Sequence, residues 1–155
     1  MSSPDLLRTT NMHAPTAILG PVFLLAFWTF VVLNCVGYAR IRANFKGLVS
    51  PSDFRLGESS NVPESVRLPN RNYMNLLELP QLFYVGCLLI YIANIASPSL
   101  VVLAWLYVVF RIAHSVVHLT YNNPVHRLYV FAASNTTLLV LWVVSAVALW
   151  GTNVA

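Results

Sequence analysis

Long apolar stretches alternate along the chain with short polar ones, and the lengths of the apolar stretches decide the architecture. Ala17 to Tyr38 carries no charged side chain in 22 residues, enough at 1.5 Å per residue to cross a hydrocarbon core of about 30 Å. Leu79 to Phe110 is uncharged for 32 residues, too long for one crossing, and Ser97-Pro98-Ser99 supplies a turn near its middle. That stretch predicts a hairpin of two spans. Leu128 to Trp150 is again uncharged, for 23 residues, and is followed by Gly151, a residue type on which helices commonly end. The pattern predicts an all-α integral membrane protein, one domain over residues 1–155. Its four-transmembrane-helix bundle has spans at about 17–38, 73–96, 100–121 and 128–150 and a loop at about 39–72.

The positions of the charges orient that bundle. Arg40, Arg42, Lys46, Arg55, Arg67 and Arg71 fall in or beside the long loop, whereas the N-terminal tail has Arg8 and the turn at Ser97–Ser99 has no charge. The positive-inside rule then makes the loop cytosolic and leaves both termini outside, in the inner membrane if the host is bacterial. The loop is rich in Gly, Pro and Ser, which predicts mostly irregular structure with at most one short surface helix. The first apolar run exceeds the roughly 7–15 residues of a signal-peptide core, and no small-residue cleavage motif follows it. It is expected to remain in the mature chain.

Composition strengthens the membrane reading: 57% of residues are apolar and 9% charged, against roughly 25% charged in ordinary soluble domains. A net charge of +4 would point a soluble protein toward nucleic acid. Here the cations gather in one loop, and no nucleic-acid partner is expected. Cys35 and Cys87 sit in different apolar runs without a CxxC or ligand-like spacing, so both are expected to be small buried residues.

Polar groups inside the spans carry the chemistry, because each costs about 2.5–3.5 kcal/mol to insert when ionised. Arg71, Asn75 and Glu78 open the second span; Asn75 lies about 40° to one side of Arg71 on a helical wheel and Glu78 about 20° to the other, a single stripe. Arg111, His114 and His118 fall within about 60° of one another on the third span, with Tyr121 slightly off that face, and Arg127 opens the fourth on the same side of the membrane. Bland readings exist for each. Glu78 and Arg111 can neutralise each other between helices, and an arginine at the cytosolic mouth of a span is ordinary topology signalling. Pro80 removes the N–H that would bond to the Leu76 carbonyl and is expected to kink the second span. Ser134 to Thr137 reads as interhelical hydrogen bonding without chemistry. His114 and His118 have the spacing of a metal-ligand pair, with His126 and Glu78 as further ligands in a metal or haem reading, but bis-histidine haem wants two helices, and no metal site is assigned.

The combination Arg71-x3-Asn75-x2-Glu78, Arg111-x2-His114 and Arg127, together with Arg40–Asn44 ("RIRAN") after the first span, resembles the MAPEG family, the membrane-associated proteins in eicosanoid and glutathione metabolism. It is most similar to the branch of microsomal glutathione transferases and prostaglandin E synthases. The resemblance implies a homotrimer that binds glutathione as cosubstrate between subunits on the cytosolic half and takes a lipophilic small-molecule substrate from the bilayer. It implies that Arg71, Asn75, Glu78, Arg111, His114, His118, Arg40 and Tyr121 contact glutathione and that Arg127 faces its sulfur as the catalytic residue. His118 departs from the pattern, which usually has tyrosine there. The implied activity is a glutathione transferase with possible peroxidase activity toward lipid hydroperoxides; the alternatives are a non-catalytic trimer that binds glutathione or lipid, and a His-ligated metal or haem protein. Glutathione's two carboxylates, ammonium and thiol call for the mixture of cations, a carboxylate and an amide that the stripes offer.

Overall fold

The computed structural model describes residues 15–55 and 57–151. The tails that enter the topology argument, Arg8 included, lie outside the described residues. Five α-helices account for the four spans: α1 Leu19–Phe45, preceded by a 3-10 turn at Pro15–Ile18, α2 Glu64–Leu77, α3 Pro80–Ile92, α4 Pro98–Leu119 and α5 Pro124–Gly151. Each of the segments Pro15–Phe45, Glu64–Ile92, Pro98–Leu119 and Pro124–Gly151 is long and apolar enough to cross a membrane, and the chain is a multi-pass integral membrane protein. There is no β-strand among the described residues.

Two boundaries differ from expectation, both because helix continues where charge begins. The first span does not stop at Tyr38; α1 runs on through Arg40 and Arg42 to Phe45, since Ala and Arg are good helix formers and cations near a helix C-terminus complement its dipole. Gly47, at φ +67°, then ends it, with the Gly47 N–H donating to the Asn44 carbonyl and the Leu48 N–H to the Ala43 carbonyl, the paired bonds of a Schellman cap. The second span likewise begins early, at Glu64, so the loop between helices is much shorter than 39–72. That loop contains the one short turn of 3-10 helix at Pro51–Phe54. Val49, Val62, Val66 and Ala43 bury beneath it, with Phe54 packed against them.

Pro80 interrupts the second span as expected. Glu78 leaves the helical region at ψ −92°, and the chain crosses the break with short bonds from Gln81 N–H to the Glu78 carbonyl and from Leu82 N–H to the Leu79 carbonyl. At the opposite membrane face Asn94 adopts φ +56° and Ser97 Oγ accepts from the Leu100 N–H, capping α4. The core runs through the bundle as Leu25, Val32, Phe83, Ile90, Leu100, Tyr107 and Leu141. Gly86 lets the Trp142 indole lie against α3; a Cβ there would sit 3.4 Å from it. Cys87 is buried, but Cys35 is only half-buried and lines a cavity, because its face of α1 looks past the bundle core toward the first turns of α2.

Candidate functional site

The α4 stripe is buried along its whole length. Arg111 is 1% exposed. Its Nε–H donates to the Tyr107 hydroxyl at 3.0 Å, one turn earlier, and an Nη2–H donates to Asn135 Oδ1 on α5 at 2.9 Å. The guanidinium also lies over the rings of Tyr107 and Phe131, at 5.3 and 5.2 Å from their centroids, which supplies cation–π attraction where water is scarce. Its second terminal nitrogen, Nη1, has no hydrogen-bond partner. The ion pair with Glu78 weighed from sequence is not formed: the one ion pair among the described residues joins Arg40 and Glu58 at 3.5 Å, and Glu78 is exposed at the helix break. Neutral groups, one of them the Asn135 expected to have no chemical role, hold Arg111 instead.

His114 and His118 continue the stripe. Their rings stand edge to face with centroids 6.0 Å apart, and His114 also tilts against Phe131 at 5.7 Å. His118 is 1% exposed with neither ring nitrogen partnered by another residue. Beside it Asn72 Nδ2 donates to Ser115 Oγ, leaving Asn72 Oδ1 unpartnered. Orphaned polar atoms at this depth are costly. Among the described residues no three His, Cys, Asp or Glu side chains come together as a metal-ligand set.

The α2 stripe is only partly turned toward the bundle. Arg71 and Glu78 are exposed and Asn75 half-buried, while Asn72 and Leu76 make the contacts with the bundle. The two stripes meet at a cavity of about 340 Å³ lined by Asn75 from α2, His114 from α4, and Arg127, Leu128 and Phe131 from α5. Arg127 is half-buried in it; one Nη1–H donates to Asn122 Oδ1 at 2.8 Å, its Nε has no partner, and Arg71 and His118 lie within electrostatic reach. Asn122 can offer that oxygen because it takes φ +48° in the turn between α4 and α5, a conformation asparagine tolerates better than most residues.

Of the expected site residues Asn75, His114 and Arg127 line this cavity, while Arg71, Glu78, Arg111 and His118 do not and Arg40 and Tyr121 are engaged elsewhere in the chain. Arg40 points into the loop, where it reaches Glu58 and Asn70 and stacks over Phe54 at 4.6 Å. Tyr121 is exposed and its hydroxyl pairs with His126 Nδ1 at 3.0 Å. Sequence reasoning passed over Asn72, Ser115, Asn122 and Phe131, whereas the interhelical hydrogen bonding expected of Ser134–Thr137 is made by Asn135. The Tyr107–Arg111 pair has a legible i, i+4 spacing, but Arg111 and Asn135 are 24 positions apart and meet only through helix packing.

No curated protein and no solved structure shows a match to this chain. The profile of the MAPEG family, however, matches residues 18–147, which takes in most of every span and every side chain of the cavity just described. The chain belongs to the MAPEG family.

Proposed function

We propose that this protein is a glutathione-dependent membrane transferase, able also to reduce lipid hydroperoxides, that activates the glutathione thiol at Arg127. The observation that carries the reading is the shared cavity of Asn75, His114 and Arg127, in which the Arg127 guanidinium is anchored at one nitrogen by Asn122 and keeps Nε free. Family membership supports a glutathione- or eicosanoid-related role; the residues in the cavity favour the first. A free thiol with a pKa near 8.5 is only about 3% ionised at pH 7. Lowering that pKa by two units raises the fraction to about 75%, which requires roughly 2.7 kcal/mol of interaction favouring the anion. A cation held in a partly desolvated cavity is suited to supply it, and Arg71, close by, adds a second positive charge for a carboxylate.

Arg71 and Glu78 present their charges on the outer face of α2. A site that uses them together with Arg40 and His118 is completed by a neighbouring copy, and a homotrimer open to the cytosolic half of the bilayer is the arrangement we adopt. The lipophilic electrophile then arrives along the apolar surface of α5, past Leu128 and Phe131; the thiolate sulfur bonds to its electrophilic carbon as the leaving group departs with the bonding electrons, or attacks a hydroperoxide oxygen, breaking the O–O bond to release the lipid alcohol and leave glutathione sulfenic acid, which a second glutathione converts to the disulfide and water. Titration of the purified protein with glutathione in detergent tests the reading. Thiolate absorbance above that of free glutathione at the same pH is expected, and its absence together with measured binding would leave a glutathione-binding protein without activating power.

A further inference from the structure

The cytosolic end of α1 carries two kinds of arginine. Arg40 is occupied by Glu58, Asn70 and Phe54. Arg42 and Lys46, one turn apart, make no side-chain hydrogen bond or ion pair among the described residues. Both line a cavity of about 500 Å³, the largest described here, bounded by α1, the first turns of α2 and the end of α4. Its floor is apolar: Cys35, Ala39 and Leu119. Cys35 and Lys46 are separated by eleven residues of continuous helix, so the cavity extends about 16 Å along α1 from hydrocarbon depth to the membrane surface. No acidic residue lines it. Ser65, in the first turn of α2, adds a hydroxyl and the positive end of a helix dipole beside the two cations.

A cation at the mouth of a span serves topology whatever it faces, and solvated cations on a helix surface need no ligand. The cavity distinguishes this pair, because an apolar slot that opens under two unpaired cations at headgroup level complements an amphiphile with an anionic head and a hydrocarbon tail. We propose that the cleft between the cytosolic end of α1 and the start of α2 binds one anionic phospholipid, its phosphate held by Arg42 and Lys46 and an acyl chain lying over Ala39 and Cys35. Basic pockets between transmembrane helices on the cytosolic side bind acidic headgroups for this reason, with each cation contributing about a fivefold gain in affinity. The site is separate from the cavity at Arg127 and does not depend on the reading of that cavity.

Cys35 provides the probe, since it lies in the floor of the cleft while Cys87 is buried in the core. The full chain, purified in neutral detergent, is alkylated with a small maleimide with and without added phosphatidylglycerol. Phosphatidylcholine with the same acyl chains and inorganic phosphate serve as controls. Phosphatidylglycerol is expected to slow Cys35 labelling saturably by at least about fivefold, and Arg42→Gln/Lys46→Gln should lose that protection while Arg55→Gln, in the loop, keeps it. If the double variant does not assemble, the two single variants are read instead, each with partial loss expected. Equal protection by phosphatidylcholine, or protection that survives the double substitution, would reduce the cleft to a nonspecific apolar groove and overturn the proposal. Protection by inorganic phosphate alone would assign the cations to a free anion. Uniformly slow labelling in every condition would mean that the assembled protein closes the cleft, and would overturn it as well.

Discussion

Asn122 and Arg127 are joined across the turn between α4 and α5, with the guanidinium donating to the asparagine oxygen at 2.8 Å. The bond fixes where the positive charge stands in the cavity without neutralising it. Asn122 does so from a left-handed backbone conformation, so turn geometry and the placement of the charge are one feature. On the proposed function, in which the charge acts on the glutathione sulfur and not on the carboxylates, Arg127→Leu is expected to lower transferase turnover by at least about tenfold while leaving glutathione affinity within a few-fold. Asn122→Gly, which tolerates the same φ, should preserve the turn and produce a smaller loss of turnover. Steady-state kinetics beside a binding titration checks both; parallel loss of binding and turnover in Arg127→Leu would make it an anchor for the ligand.

Glu78 stands exposed at the break between α2 and α3, with no cation paired to it among the described residues. Glu78→Gln should therefore leave thermal stability of the protomer nearly unchanged and weaken glutathione binding through loss of an acceptor for the ligand ammonium. Calorimetric titration on material shown to be assembled measures it, and normal affinity there would remove Glu78 from the ligand contacts.

Asn135→Leu takes away the α5 partner of Arg111 and leaves a buried cation with one hydrogen bond fewer. A hydrogen bond to a charged group contributes about 1.5–3 kcal/mol, so a clear drop in the unfolding midpoint in detergent is expected. Asn135→Asp, which keeps the acceptor and adds a countercharge, should recover most of it. Equal loss in both variants would mean that the amide packs against its neighbours and contributes little to holding the arginine.

His118 is buried with both ring nitrogens unpartnered by other residues. His118→Tyr is expected to assemble normally and to raise glutathione-dependent activity, since a phenol donates to a thiolate where a neutral imidazole presents one donor of different reach. Activity assays on the folded variant decide; a folded protein with reduced activity would assign His118 a role of its own in the site.

Outside the membrane, Asp53 is held below the ordinary carboxylate pKa, first by the Ser50 backbone N–H and then by the Ser59 hydroxyl. A depressed folded-state pKa contributes stability that is present above the unfolded value, near 3.8, and is lost as pH falls through the lower, folded value. Amide hydrogen exchange in the segment from Ser50 to Ser59 is therefore expected to speed up selectively in acid. Asp53→Asn should abolish that pH dependence.

The four spans were legible from the sequence because a bilayer demands about 20 apolar residues per crossing regardless of their neighbours. The break at Pro80 was legible for the same local reason, since proline lacks the N–H wherever it stands. Helix periodicity likewise placed Arg111, His114 and His118 on one face before any packing was known. Periodicity assigns a face and does not say what the face meets. Packing turned the α4 stripe into the bundle while leaving Arg71 and Glu78 of α2 exposed, held Arg111 by Tyr107 and Asn135 where pairing with Glu78 had been the bland reading, and brought Arg40 to Glu58 and Asn70. The end of α1 lies seven residues beyond the expected boundary at Tyr38 because charge marks the membrane boundary, whereas backbone hydrogen bonding ends a helix. Partners separated by tens of residues are chosen by helix crossing and side-chain volume. Tertiary structure alone decided them.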